Sequence, residues 1–180
     1  MKILIILLAL FHVAVFAQKS VKIGEQVWMA QNLDSKAKKK GKHGGLYDWE
    51  SANKACPKGW HLPSDNDWQT LVNFTGDTEF AGRDLKSKTG WDKKSNGTDK
   101  YKFAALPGRS AGESTAFGKE GCDGGCWWSS TEANEVEGNA YARQISYDRS
   151  DDESEGYSVE RFYDAKEAMF SVRCIKEKTE

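Results

Sequence analysis

CPKGWHLPSDNDWQTL, residues 56–71, packs a cysteine, a turn, two tryptophans and the start of a helix into one short run. Pro57 disfavours helical backbone at the residue before it, so it closes any helix that arrives from upstream. PKGW is a turn, with Gly59 supplying the φ freedom that a reversal needs. Ser64 is a good N-cap, whose hydroxyl can accept from the backbone N–H of Asp67. Asp67 can reach back to Ser64 as an acidic version of a capping box. Asp65 and Asp67 both suit the positive end of the helix dipole. Trp68, Leu71, Val72 and Thr75 then recur on one helical face, and Gly76 is a natural stop. Each of these residues has a structural task. His61 has no partner of catalytic type nearby in the sequence and is read as a packing or turn residue.

Upstream, DWESANKAC offers Asp48 as an N-cap, with Trp49, Ala52 and Cys56 recurring on one face of a helix that Pro57 ends. SKAKKKGKHGG before it is a loop by composition, its lysines a solvated surface. VKIGEQVWMAQNLD alternates Val21, Ile23, Val27 and Met29 against polar neighbours, the period of an exposed edge strand. Downstream, GRDLKSKTGW holds one more helical turn. After it come strand-like fragments: KFAALP, CWWSSTE, NAYARQISYD, YSVERFYD and MFSVRCIKE. The last places Phe170, Val172 and Cys174 on one face, with Ser171, Arg173 and Ile175 on the other. Helices ahead of a run of antiparallel-type strands predict an α+β domain with the helices packed to one side of the sheet. YDRSDDESEGY is an acidic hairpin loop that lacks the residue order of a calcium loop.

The chain opens MKILIILLALFHVAVFAQ: one lysine, an apolar run, then Val15-Phe16-Ala17. That order predicts an export signal over 1–17 and a single domain over 18–180. The apolar run is shorter than the roughly 20 residues a bilayer span needs, and no second such run follows, so no transmembrane segment is expected in the mature protein. The expected location is extracellular, periplasmic or at the cell surface. The whole chain has 26 Lys and Arg against 27 Asp and Glu, and losing Lys2 makes the balance more acidic. Nucleic acid, which calls for a net basic surface, is not an expected partner.

Export also sets the reading of the four cysteines as an even, oxidised set. In CDGGC two glycines let Cys122 fold back onto Cys126, which leaves Cys56 to pair with Cys174. By chain entropy the long loop contributes about 4–5 kcal/mol and the short one about 2 kcal/mol. A four-thiolate zinc site usually takes two close pairs, and this chain has one. No metal and no cofactor are expected.

The blocks GEQVWMAQNLD, GGLYDWESA, CPKGWHLPSDNDW, FAALPGRS, WWSSTE and FSVRCIKE, in this order, closely resemble the Fibrobacter succinogenes major paralogous domain. The resemblance covers about Val21 to Lys176. It implies a C-type lectin-like fold: two helices packed on a twisted antiparallel sheet, a long loop region above, and a disulfide from the first helix to the last strand. Such closure agrees with pairing Cys56 to Cys174. The resemblance implies secreted or surface-associated proteins of largely unassigned role, and a shared fold transfers no activity. Calcium-dependent lectins of the wider fold hold ion and sugar with Glu-Pro-Asn and Trp-Asn-Asp tripeptides, and neither occurs here. Formylglycine-generating oxidases, an enzyme branch of that fold, carry a Leu-Pro turn similar to that in HLPSDNDW, together with a close cysteine pair and copper. Here Cys122 and Cys126 precede WWSSTE instead of lying near the C-terminal strand. A cysteine-dependent oxidase is therefore the alternative, and a structural surface or matrix component a third reading.

The expectation is a secreted, non-catalytic binding module for a polysaccharide or a cell-surface protein. Of the seven tryptophans, Trp28, Trp49, Trp60 and Trp68 belong to patterned elements and are assigned to core. Trp127 and Trp128, adjacent on a strand, should face opposite ways. Trp128 matches the family's core tryptophan, which leaves Trp127 for a surface. The glycine-rich, polar segment Asp77–Glu120 is expected to loop out over the WWSSTE strand. Trp91 in that loop, with Trp127, Glu132, Asn134 and Arg143, forms the expected ligand-binding set. The competing role for Trp91 is to plug the loop onto the domain.

Overall fold

The first hairpin turns at Gly24, where φ is +59°, a left-handed conformation that glycine adopts without a Cβ penalty. It joins β1 (Ser20–Ile23) to β2 (Gln26–Met29) in antiparallel register. The computed structural model describes residues 19–76, 80–91, 95–108, 122, 124–146 and 158–177. The expected export signal, the acidic loop 147–157 and much of the 77–120 segment lie outside these residues. The single edge strand expected over 21–34 is thus a hairpin, and only β1 lies at the edge. β2 is interior, in a sheet ordered β1-β2-β9-β5, with β5 at Trp60–His61 and β9 at Ile175–Lys176. Trp28 and Met29 are consequently both buried, in two different hydrophobic cores.

The lysine-rich stretch is also more ordered than its composition suggested. β3 (Lys39–Gly41) and β4 (Gly44–Leu46) form a second hairpin, with Lys39 opposite Leu46. Backbone pairing needs no apolar face, so the lysines remain outside while the main chain is satisfied. Helix α1 (Trp49–Ala52) is capped by Asp48, which accepts from Ser51 N–H. It stops well before Cys56. Lys54 N–H and Ala55 N–H donate three residues back, to Ser51 and Ala52, so the helix unwinds through tight turns ahead of Pro57.

Helix α2 (Asp65–Phe74) begins as its sequence predicted. Asp67 N–H donates to Ser64 Oγ at 3.1 Å, and Ser64 N–H donates to Asp67 Oδ2 at 2.9 Å. Trp68, Leu71 and Val72 are buried, and Gly76 follows with φ at +82°. Helix α3 (Ala81–Leu85) is the expected single turn. KFAALP is not a strand. It contributes one bridge, Ala105 to Lys86, because its carbonyls point to side-chain donors instead.

The third sheet is an antiparallel meander of β6 (Gly124–Glu132), β7 (Asn139–Ser146) and β8 (Glu160–Ala165). Trp127 and Trp128 face opposite sides, as alternation required. Trp127 enters the core built by Ile23, Trp28, Trp68, Phe103 and Ile145. Trp128 enters the other, with Met29, Tyr47, Trp49, Phe170 and Val172. Between the cores runs the segment from Phe170 to Ile175, every residue of it buried. Its expected alternation holds: Phe170, Val172 and Cys174 face the second core and Ile175 the first. The expected strand does not, since only β9 is regular. The backbone instead bonds three neighbours in turn, Phe170 to Tyr47, Ser171 to Cys126 and Trp128, and Val172 and Cys174 to Leu33 and Met29.

A polar node lies where these pieces meet. Arg173 is fully buried, and its guanidinium donates to Asn32 Oδ1, to the carbonyls of Met29 and Phe103, and at 3.5 Å to Ala104. Asn32 Oδ1 also accepts from Trp127 Nε1 at 2.9 Å, and its amide donates to the carbonyls of His43 and Leu106. Burial pulls Arg173 down to about 9, which still leaves it charged at neutral pH. Cys56 is bonded to Cys174, and Cys122 to Cys126. Among the described residues the architecture is mixed and sheet-rich with short helices, with three small sheets where one twisted sheet was expected.

Candidate functional site

One face of the three-stranded sheet is shared unequally. Pairing sets Tyr141 opposite Tyr163, Arg143 opposite Arg161 and Trp127 opposite Arg143, so these side chains project from the same face. Ala140 and Ala142 project from the other, where their small size admits Trp128, and Phe162 packs there against Phe170. On the first face, Trp127 and Ile145 pack with Trp68 and Leu71 of α2 in one core. The other part of that face, beyond the N-terminus of α2, is open. A cleft of about 700 Å³ lies there, lined from this face by Asn139, Tyr141, Arg161 and Tyr163, by Glu135 of the β6–β7 turn, and along β8 by Phe162 and Asp164, whose register belongs to the other face.

The boundary between covered and open parts is ionic. Arg143, only 2% exposed, donates through Nη2 to Asp65 Oδ1 at 2.5 Å and through Nη1 to Gln69 Oε1 at 3.3 Å. Arg161 Nε donates to the second carboxylate oxygen of Asp65 at 2.7 Å. Asp65 therefore sits between two guanidinium groups at the first turn of α2, where the helix dipole also favours a negative charge. The Arg161 guanidinium lies 3.6 Å above the centroid of Tyr141. The Tyr141 hydroxyl donates to Glu135, with both carboxylate oxygens at 2.7 Å.

These contacts tune one another. The Tyr141 hydroxyl bond holds the Glu135 carboxyl below its ordinary range, and the same bond pushes the Tyr141 phenol up. Burial works to lower Arg161, but its bonds to Asp65 and Tyr141 outweigh that and raise it. Tyr163 packs edge-on to Tyr141 at 6.3 Å and is 49% exposed. The Asn139 amide and the Tyr163 hydroxyl have no hydrogen-bond partner among the described residues. The cleft thus combines an aromatic face with planar hydrogen-bonding groups held at fixed positions.

The residues expected to bind ligand are dispersed. Trp127 is fully buried, with its indole N–H on Asn32, so it offers no face to solvent. Trp91 is 6% exposed and donates to the Ala105 carbonyl at 2.8 Å, with Lys86 Nζ 4.6 Å from its ring. It plugs its loop onto the core. Arg143 is a buried strut between sheet and helix. Glu132 and Asn134 are exposed in and after β6, Glu132 pairing with Lys166 at 2.9 Å. The turn was the right neighbourhood, but its Glu135 is the residue that enters the cleft. Tyr141 and Tyr163 carried a usable signal, since alternation through NAYAR and ERFYD sets an aromatic beside an arginine on one face.

A second cleft of about 540 Å³ is lined by Lys22, Glu25, Gln26, Val27, Ile175, Lys176 and Glu177, with no aromatic side chain. Among the described residues no three His, Cys, Asp or Glu are grouped to hold a metal ion, and no helix is long and apolar enough to cross a membrane. The chain matches no curated protein and no solved structure. The profile of the Fibrobacter succinogenes major domain matches residues 33–176, from the approach to the second hairpin to the end of β9, and the chain belongs to that family.

Proposed function

We propose that the protein is a non-catalytic binding module that works outside the cytoplasm, with a polysaccharide or a cell-surface protein as its ligand. The observation that carries this reading is the open cleft beside α2. There, Tyr141, Tyr163 and Arg161 are fixed in place and hydrogen-bonding groups remain unspent. The underlying architecture is C-type lectin-like. Two features support that assignment. The disulfide ties the segment after α1 to the residue before β9, and β9 closes the first hairpin against β5. Export is supported by the leader-like residues 1–17 and by the pairing of all four cysteines.

The test is direct. Purified protein is applied to arrayed glycans and polysaccharides and to isolated cell envelopes, with and without EDTA. Saturable binding insensitive to EDTA is the expected result. Absence of saturable binding to glycans and envelopes alike overturns the module reading.

A further inference from the structure

We propose that the outer edge of β8 takes an extended segment of a partner protein as a fourth strand, with the cleft along that edge receiving the segment's side chains. The proposal rests on the binding-module reading and narrows its ligand to polypeptide.

The first observation is where the main-chain bonds of β8 go. Lys166 N–H donates to the Gly138 carbonyl at 3.0 Å. In an antiparallel ladder only every second pair exchanges hydrogen bonds, so that bond fixes the phase of the whole register. The bonded pairs are Ala140 with Asp164, Ala142 with Phe162 and Gln144 with Glu160. Arg161 and Tyr163 lie between them, so their N–H and C=O groups point away from β7. β8 is the last strand of its sheet, and no described residue bonds those groups. Ala165, next in the series, is closed: its N–H donates to Asp164 Oδ1 and its carbonyl accepts from Ala168 N–H. The far edge of the same sheet is closed too. There Cys126 and Trp128 turn their outward groups to Ser171. The chain completes the β6 edge itself and leaves β8 open at Arg161 and Tyr163.

The second observation is the course of the cleft. Arg161, Phe162, Tyr163 and Asp164 all line it. They are consecutive, and their side chains alternate between the two faces of the sheet. One cleft meets both faces of a strand by running along its edge. The open main-chain groups and the cleft therefore coincide.

The occupant follows from the chemistry of the edge. Main-chain donors and acceptors that recur every second residue, about 7 Å apart, are matched by the main chain of another extended segment, which is how strand-adding domains hold peptides. On the first face the segment meets the Tyr163 ring, 49% exposed and braced edge-on by Tyr141. An aromatic or β-branched residue suits the position opposite it. A second copy of the chain fits less well. Antiparallel self-pairing that bonds Arg161 to Tyr163 in both directions sets Glu160 opposite Asp164, like charges across the ladder.

The test titrates the protein with short blocked peptides that alternate Thr, Val or Tyr with Lys or Glu, and follows amide exchange by NMR. In the free protein the Phe162 and Asp164 amides should exchange slowly and those of Arg161 and Tyr163 fast. A bound peptide should slow the Arg161 and Tyr163 amides by about tenfold or more. N-methylation of alternate peptide residues should abolish binding in one phase and spare it in the other. Tyr163→Pro removes an N–H that faces away from β7, a change an edge strand tolerates, and should weaken binding about tenfold. Tyr163→Thr keeps the N–H and should bind more tightly than the proline variant. Peptide binding that leaves the Arg161 and Tyr163 amides fast overturns the edge assignment, as does equal binding by the two variants. Protection that grows with protein concentration alone gives the edge to a second copy and overturns the foreign partner. Failure of every peptide to bind overturns the inference. Saturable binding of glycans or envelopes then leaves the module reading standing, and its absence removes both.

Discussion

Asn32→Ala should be among the most damaging single changes in this protein, although Asn32 lies in no regular element. Its Oδ1 accepts from Arg173 Nε at 3.2 Å, Arg173 Nη2 at 2.6 Å and Trp127 Nε1 at 2.9 Å. Its Nδ2 donates to the carbonyls of His43 and Leu106 at 2.8 and 3.0 Å. Alanine leaves three buried donors, two of them on a charged group, without an acceptor that water can replace. Each orphaned donor costs about 1–3 kcal/mol. With partial relaxation around the smaller side chain, the loss should be roughly 4 kcal/mol, against a total of about 5–15 kcal/mol for a domain. At this chain length that is a drop of about 8–16 °C in melting temperature.

Urea unfolding with the disulfides intact, followed by tryptophan fluorescence, reads the loss as a fall in midpoint at unchanged slope. Asn32→Asp is the informative companion. A carboxylate keeps an acceptor for all three donors and gives Arg173 a counter-charge, while losing the two amide donations. It should retain more than half of the stability that alanine loses. A loss below about 1 kcal/mol in Asn32→Ala would refute the account of the node. So would an aspartate variant no better than alanine.

Ser64→Ala removes the capping hydroxyl of α2 and should cost about 1 kcal/mol in the same assay. Replacing Cys56 and Cys174 together by serine should cost about 4–5 kcal/mol, and replacing Cys122 and Cys126 about 2 kcal/mol, because the first bond closes the longer loop. Non-reducing peptide mapping should return those two pairs, and a Cys56–Cys122 peptide would refute the topology. Burial, and secondarily the Asp34 carboxylate, raises the Tyr47 phenol well above its ordinary value. The unfolded chain therefore releases that proton first as pH climbs past about 10. Tyr47's contribution is present below that pH and falls above it by up to about 1.4 kcal/mol per pH unit. The slope should be shallower in Tyr47→Phe, where only the raised Tyr141 phenol still contributes to it.

The sequence was most legible where one local rule sufficed. Ser64 and Asp67 are three residues apart, so their capping geometry follows from helix pitch alone, and the structure has both bonds. Alternation separated Trp127 from Trp128 correctly for the same reason. It did not tell which side of β6 faces water, because neither does: two cores flank the strand. Trp127 was therefore misplaced by assuming that a strand has a wet face. Arg143 was misplaced in a related way: it was expected at a ligand surface and is buried by a partner far along the chain, Asp65. Arg173, for which the sequence suggested only a strand face, is likewise buried on a distant partner, Asn32. Spacing carries periodicity, whereas long-range polar partners are set by topology. The lysine hairpin β3–β4 escaped notice because backbone bonds, not side chains, hold it.

The location of the cleft follows from the way α2 is anchored. An amphipathic helix buries a stripe, and the stripe of α2 is Trp68, Leu71 and Val72. Those residues meet Trp127 and Ile145, so only that part of the β6–β8 face needs to be apolar. Where the stripe ends, at the first turn, the sheet presents Arg143 and Arg161 in register, and Asp65 binds both. The core therefore terminates in an ion pair network instead of fading into loosely packed side chains. Asn139 and Tyr163, next along the strands, stay partly exposed beside the buried Tyr141. They are nevertheless held, because Arg161 is fixed by Asp65 and in turn fixes Tyr141. A site on a sheet face whose rim is bonded to a helix terminus is more rigid than one built on a loop. That is the physical reason to seek binding there, and not in the long loop where the sequence first placed it.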